Sequence, residues 1–136
     1  MIGLIDVAPA FSFIANRGLL PGTATYDQQA FGNANLVMDG TPFSLRFQRD
    51  RGQVFMDIGN DAAGWYKLEY VLEFVANSIT QKQLGEPPDT TLLANLLQGH
   101  WDKVTHLFND QQEMSQLQIF AKQKMASLSG EIFGNP

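Results

Sequence analysis

His100 and His106 are the two histidines of the chain. Six positions apart on a helix they are turned by about 600°, so they point to different sides and do not chelate one metal ion together. His100, next to Trp101, is predicted to be partly buried, and His106 to lie at the surface. No serine stands in a Gly-x-Ser-x-Gly elbow, the turn that exposes a nucleophile above a sheet. Phosphate cradles of the Gly-x-Gly-x-x-Gly or Gly-x4-Gly-Lys type are missing as well. The chain has no cysteine, which removes thiolate-bound zinc, disulfides and cysteine nucleophiles together. The expectation is a protein without catalytic residues, metal ligands or a cofactor.

The carboxylates and arginines carry more. Glu69 and Glu73 are one helical turn apart, on the side opposite Leu68, Val71 and Leu72, where solvation is expected. Asp57 alternates outward from Val54, Met56 and Ile58, and Asp61 falls in the loop that follows. Acids close together can raise a pKa for acid catalysis or form a patch for a basic partner. Trp65 and Tyr66 lie among them, and flat aromatics beside exposed acids favour the second use. Asp57, Asp61, Trp65, Tyr66, Glu69 and Glu73 are therefore the expected partner-binding residues. Arg46, Arg49 and Arg51 share one predicted hairpin with Asp50. They can pair with Asp50 and with strand neighbours such as Asp57, or three guanidiniums can hold a phosphate or carboxylate. The acidic remainder of the chain favours the pairing.

These residues are positioned by the stretch 43–74. Phe43, Leu45 and Phe47 alternate with Ser44, Arg46 and Gln48, and Val54, Met56 and Ile58 repeat that period. Arg49-Asp50-Arg51-Gly52 closes the two runs into a hairpin, with Gly52 expected to take positive φ. Leu68, Val71, Leu72, Val75 and Ile79 then follow the helical period, through a corner at Gly64-Trp65-Tyr66 into a helix over 66–80. Upstream, a short helix is expected from Leu4 to Ala15, with Asp6 as cap, Pro9 in the first turn and Gly18 at its end. Pro21-Gly22 reads as a turn, residues 23–31 as a weak extended segment, and Ala34, Leu36 and Met38 as a strand ended by Asp39-Gly40.

Downstream, Gly85-Glu86-Pro87-Pro88 breaks the chain and Asp89 caps a helix whose buried stripe includes Leu92, Leu93, Leu96, Leu97, Trp101, Val104, Leu107 and Phe108. Gly99 is a candidate kink. Asp110 and Glu113 have the spacing of a capping box before a last helix lined by Leu117, Phe120, Ala121, Met125 and Leu128, fraying at Gly130 or Gly134. The fold class expected is α+β: one domain over 1–136, with a three- to four-stranded antiparallel meander at about 33–59 and helices at about 66–132, roughly four helices in all.

The balance of 44% apolar and 17% charged residues is that of a globular chain. Net charge is −5, with nine acids against five bases in residues 61–136 and five against four before them. A negative surface repels phosphate backbones and anionic lipid, so neither nucleic acid nor membrane is an expected partner. A protein with a basic surface is. The first residues lack the basic flank and apolar run of a secretory signal, and cytoplasmic residence is expected.

Phe31-Gly32-Asn33-Ala34, the run Leu45 to Phe55 with its Arg49-Asp50-Arg51-Gly52 hairpin, and Trp65-Tyr66-Lys67-Leu68-Glu69 leading to Phe74 together resemble small bacterial immunity proteins. These accompany polymorphic toxins of the Rhs and contact-dependent inhibition type. The resemblance covers about residues 5–75. It implies a non-catalytic protein that binds a cognate toxin and blocks its active site or substrate access, as a monomer or weak homodimer. No interface residue is carried over by it. A small enzyme or ligand-binding module, holding an anionic metabolite with Arg46, Arg49 and Arg51, is the competing expectation. A third is an adaptor that dimerises through Trp65 and Tyr66.

Overall fold

Alternation of apolar and polar residues builds the centre of the molecule, a five-stranded antiparallel sheet in the order β1-β2-β3-β4-β5. The strands are β1 Leu20–Asp27, β2 Asn33–Asp39, β3 Ser44–Asp50, β4 Gln53–Asn60 and β5 Gly64–Lys67. A 3-10 helix, Pro9–Arg17, precedes them. Four α-helices follow among the described residues: α1 Leu68–Ala76, α2 Thr90–Gly99, α3 Trp101–Asn109 and α4 Gln111–Ile132. The computed structural model describes residues 8–27, 33–51, 53–76 and 89–132. Leu4, Asp6, Phe31, Gly32, Gly52, Ile79, residues 85–88, Gly134 and the side chain of Leu128, for which the sequence carries expectations, lie outside the described residues.

The fold class is α+β, with two strands more than the alternation alone marks. Pro21-Gly22, expected as a turn, lies inside β1, where the pairing with β2 shifts register between Pro21 and Ala24. β1 is an edge strand, and a proline there removes no hydrogen bond that an inner strand needs. Gly64-Trp65-Tyr66, expected as the entrance to a helix, is β5, and α1 begins at Leu68. Two glycines make that last hairpin. Gly64 takes φ 88°, left-handed and strained for other residues, and a Cβ on Gly59 would collide with the Gly64 carbonyl oxygen. Asn60 ties the turn from its side chain, accepting from the Ala63 N–H at 2.6 Å and donating to the Pro42 carbonyl at 2.9 Å.

At the β3–β4 hairpin Asp50 pairs with Gln53. Arg51 takes a positive φ of 52°, and its N–H bonds Asn33 Oδ1 across the sheet. The first helix is 3-10 rather than α, preceded by Ala8, which makes no side-chain cap, and closed by Gly18. Asp89 caps α2 through the Leu92 N–H at 2.9 Å. The helical stripe does break at Gly99, and Asp110 Oδ1 accepts from the N–H groups of Gln112 and Glu113 at the start of α4. Gly130 lies within α4 instead of ending it.

One face of the sheet is covered. Leu36, Phe47 and Met56 stand in one row and Met38, Leu45 and Ile58 in the next; every one of them is buried. Onto these rows the helices bring Phe11, Ile14, Leu68, Leu72, Leu93 and Val104, all fully buried. Phe11 meets Phe47 edge-on, with ring centres 5.2 Å apart. Trp101 sits across Phe43 at 5.1 Å and Phe13 at 6.1 Å, which locks the helical layer to both ends of the chain's first half. Each such side chain taken out of water stabilises by about 1.5–3 kcal/mol before chain entropy is set against it.

Candidate functional site

Because side chains alternate across a strand, the residues between the buried ones emerge together on the opposite face. Val37, Arg46, Asp57 and Lys67 form one row across β2 to β5. Asn35, Gln48 and Phe55 form the neighbouring row. Asn35, Gln48, Phe55 and Lys67 are exposed and the others half-buried. Among the described residues no helix packs over this face. Phe55 keeps 43% of its surface in water, one of the large hydrophobics left outside the core.

At the centre of the row Arg46 bonds Asp57, with Nε at 3.1 Å and Nη2 at 2.8 Å from Oδ2. The same guanidinium lies 4.5 Å above the Trp65 ring, where cation and ring face attract. Trp65 can reach it because its cross-strand neighbour is Gly59, which has no side chain in between. Two of the expected partner-binding residues, Asp57 and Trp65, are thus joined through Arg46, and its bond to Asp57 is the strand-neighbour pairing that the sequence favours over an anion site.

The remaining acids are not one solvated patch. Asp61 is exposed in the β4–β5 turn. Glu69 is half-buried, and burial pushes its pKa up, opposed by a backbone hydrogen bond and by Lys67, and assisted by Asp57. Glu73, expected to be solvated, lies against α4, where Lys124 Nζ is 3.1 Å from both carboxylate oxygens and donates to Oε1. The two side chains are 23% and 17% exposed, so α4 covers the helix face that the local period left open. Tyr66 points to the core side and donates from its hydroxyl to the Ala63 carbonyl at 3.0 Å.

The arginines do not converge. Arg46 is on the uncovered face, whereas Arg49, three positions on, pairs with Ala34 and Val54 on the covered side, and Arg51 is exposed in the turn. Strand alternation forbids Arg46 and Arg49 from gripping one anion.

His100 is half-buried, with Nδ1 2.9 Å from the Leu96 carbonyl. His106 is exposed, as expected, but it has company that helical arithmetic within one helix did not reveal. Its Nε2 is 3.7 Å from Asp110 Oδ2 and 3.6 Å from Glu113 Oε2. A ligand atom from each of the three lies within 4.8 Å of the others, so they are a candidate set of donors for a cation. They adjoin an open hollow of about 490 Å³ walled by Phe74, Val75 and Leu107. The signal in the sequence was the His-x3-Asp-x2-Glu spacing across a helix junction. Asp110 has another employment, since its second oxygen caps α4.

Neither a protein-family model, nor a curated protein, nor a solved structure matches the chain. Its class is set by its own architecture: an α+β protein on a five-stranded antiparallel meander, helices on one face and a row of charges and aromatics on the other. No helix among the described residues is long and apolar enough to cross a membrane.

Proposed function

We propose that this chain is a non-catalytic binding protein of the bacterial immunity type, which docks a cognate toxin domain in the cytoplasm and blocks its active site or its access to substrate. The observation that carries the reading is the uncovered sheet face, with Phe55 43% exposed beside the Arg46–Trp65 stack. Aromatic and arginine side chains are enriched where protein interfaces are buried, and a rigid sheet presents them with little ordering cost. The net charge of −5 steers a basic partner toward the molecule and makes association sensitive to salt. The divergent directions of Arg46 and Arg49 weigh against the competing reading, an anion held by the hairpin.

The test pairs the chain with the toxin candidate encoded next to it. Coexpression is expected to protect cells, and Phe55→Asp, Trp65→Ala and Asp61→Lys, made separately in a folded background, to reduce both protection and binding. Parent-like protection from all three would move the interface elsewhere, and a chain that protects against no neighbouring toxin would end the reading.

A further inference from the structure

Among the described residues β5 is the last strand of the sheet and pairs with β4 alone. The backbone groups on its outer side are therefore a template for another strand. Alongside it lies an open groove of about 500 Å³, within the size range of natural ligand sites. Tyr66, Lys67 and Tyr70 line one side, and Gln118, Lys122 and Met125, spaced along one face of α4, line the other. Met125 leaves 62% of its surface in water. Tyr70 is 3% exposed, and its buried hydroxyl has no hydrogen-bond partner among the described residues.

The charge of this groove is opposite to that of the chain. Lys67 and Lys122, one on each side, are exposed, and the groove's carboxylate, Asp57, is already held by Arg46. We infer that the groove receives an extended acidic segment of another polypeptide, which adds to the free edge of β5 as a sixth strand. Its main-chain groups pair with β5, its carboxylates face Lys67 and Lys122, and its apolar side chains lie against Met125. Strand addition draws affinity from the backbone and selectivity from alternate side chains. A second copy of this chain is a poorer occupant, because antiparallel pairing of β5 with its own copy sets Lys67 opposite Gly64, and Gly64–Lys67 carries no carboxylate to face Lys67 and Lys122. The groove shares Asp57 and Trp65 with the sheet face of the toxin-binding reading, but that reading needs a basic partner and this one an acidic strand, so either can fail while the other stands.

The experiment measures fluorescence anisotropy with three labelled octapeptides: alternating valine and glutamate, the same with lysine for glutamate, and the glutamate peptide N-methylated at every second amide. The glutamate peptide is expected to bind saturably, and the other two on the order of tenfold more weakly or worse. Lys67→Glu with Lys122→Glu is expected to cost a similar factor, with an unchanged melting curve as the control. Lys122→Glu alone, on an exposed helix position, gives part of the loss should the double variant fail to fold. Equal binding of the acidic and basic peptides, equal binding of the N-methylated peptide, or indifference to the lysine reversals would overturn the inference. So would a sedimenting dimer that Met125→Glu dissolves, since the occupant would then be a second copy.

Discussion

Arg46 spends two donors, Nε and Nη2, on a single oxygen of Asp57, Oδ2. That leaves the other carboxylate oxygen out of the bond and the guanidinium plane free to lie over Trp65 at 4.5 Å. The pair is positioned by register alone: Arg46 and Asp57 are directly opposed on β3 and β4. Its side chains are 43% and 32% exposed, so water screens it and its worth to folding is small.

A double-mutant cycle of Arg46→Ala and Asp57→Ala is expected to give a coupling of about 0.2–1 kcal/mol, falling as salt is added. Urea denaturation at low and high ionic strength measures it. A coupling above about 2 kcal/mol would show that the pair is shielded far more than its exposure indicates.

Phe47 and Gln48 are neighbours on β3 that face opposite ways. Phe47 is fully buried against Phe11, and Phe47→Ala is expected to cost about 3–5 kcal/mol. Gln48→Ala, on the uncovered face, is expected to stay within about 0.5 kcal/mol. Leu72, also fully buried, should cost about 2–5 kcal/mol on truncation to alanine. Equal costs at positions 47 and 48 would refute the assigned facing.

Lys124 and Glu73 are 51 positions apart and join α4 to α1. Lys124→Ala leaves the Glu73 carboxylate buried without its cation, and a loss of about 1–3 kcal/mol is expected. Glu73→Gln in that background should recover part of it, since an uncharged amide is cheaper to keep out of water. Both effects are read from denaturant midpoints, and no recovery would show that Lys124 acts through packing of its stem.

Glu69 has a raised pKa in the folded chain because burial disfavours its charge. Below the usual glutamate range both states hold the proton and it has no effect. As pH rises from the unfolded pKa toward the folded one, the unfolded state ionises first, so stability falls, and above the folded pKa the loss is constant. Glu69→Gln is therefore expected to raise the melting temperature at pH 7 and to leave it unchanged near pH 3. A stabilisation that is the same at both pH values would locate the effect in packing and not in ionisation.

The elements legible in the sequence are those whose own residues repeat with a period. The strands containing Leu36, Phe47 and Met56 alternate apart from the outward-facing Val37 and Phe55, and the Asp89 and Asp110 caps stand next to helical stripes. Residues 23–27 of β1 fall in the segment expected to be extended, but its start escaped because Pro21 and Gly22 are turn formers, tolerated there because β1 is an edge with a register break. β5 escaped because four residues are too few to show alternation, and its existence depends on Gly59 letting the strands approach.

What local patterning settled was which residues share a face; it could not say what that face meets. Glu73 lies on the polar side of α1 by its own period, yet α4 returns from the far end of the chain to cover it. His106 finds Asp110 and Glu113 across a helix junction that the angle between two histidines does not describe. The uncovered sheet face exists because the described helices pack on the other side, and the groove beside β5 because α4 runs close to that edge, both choices made by non-local contacts. Side-chain periodicity is a property of a segment, whereas exposure is a property of everything that segment packs against.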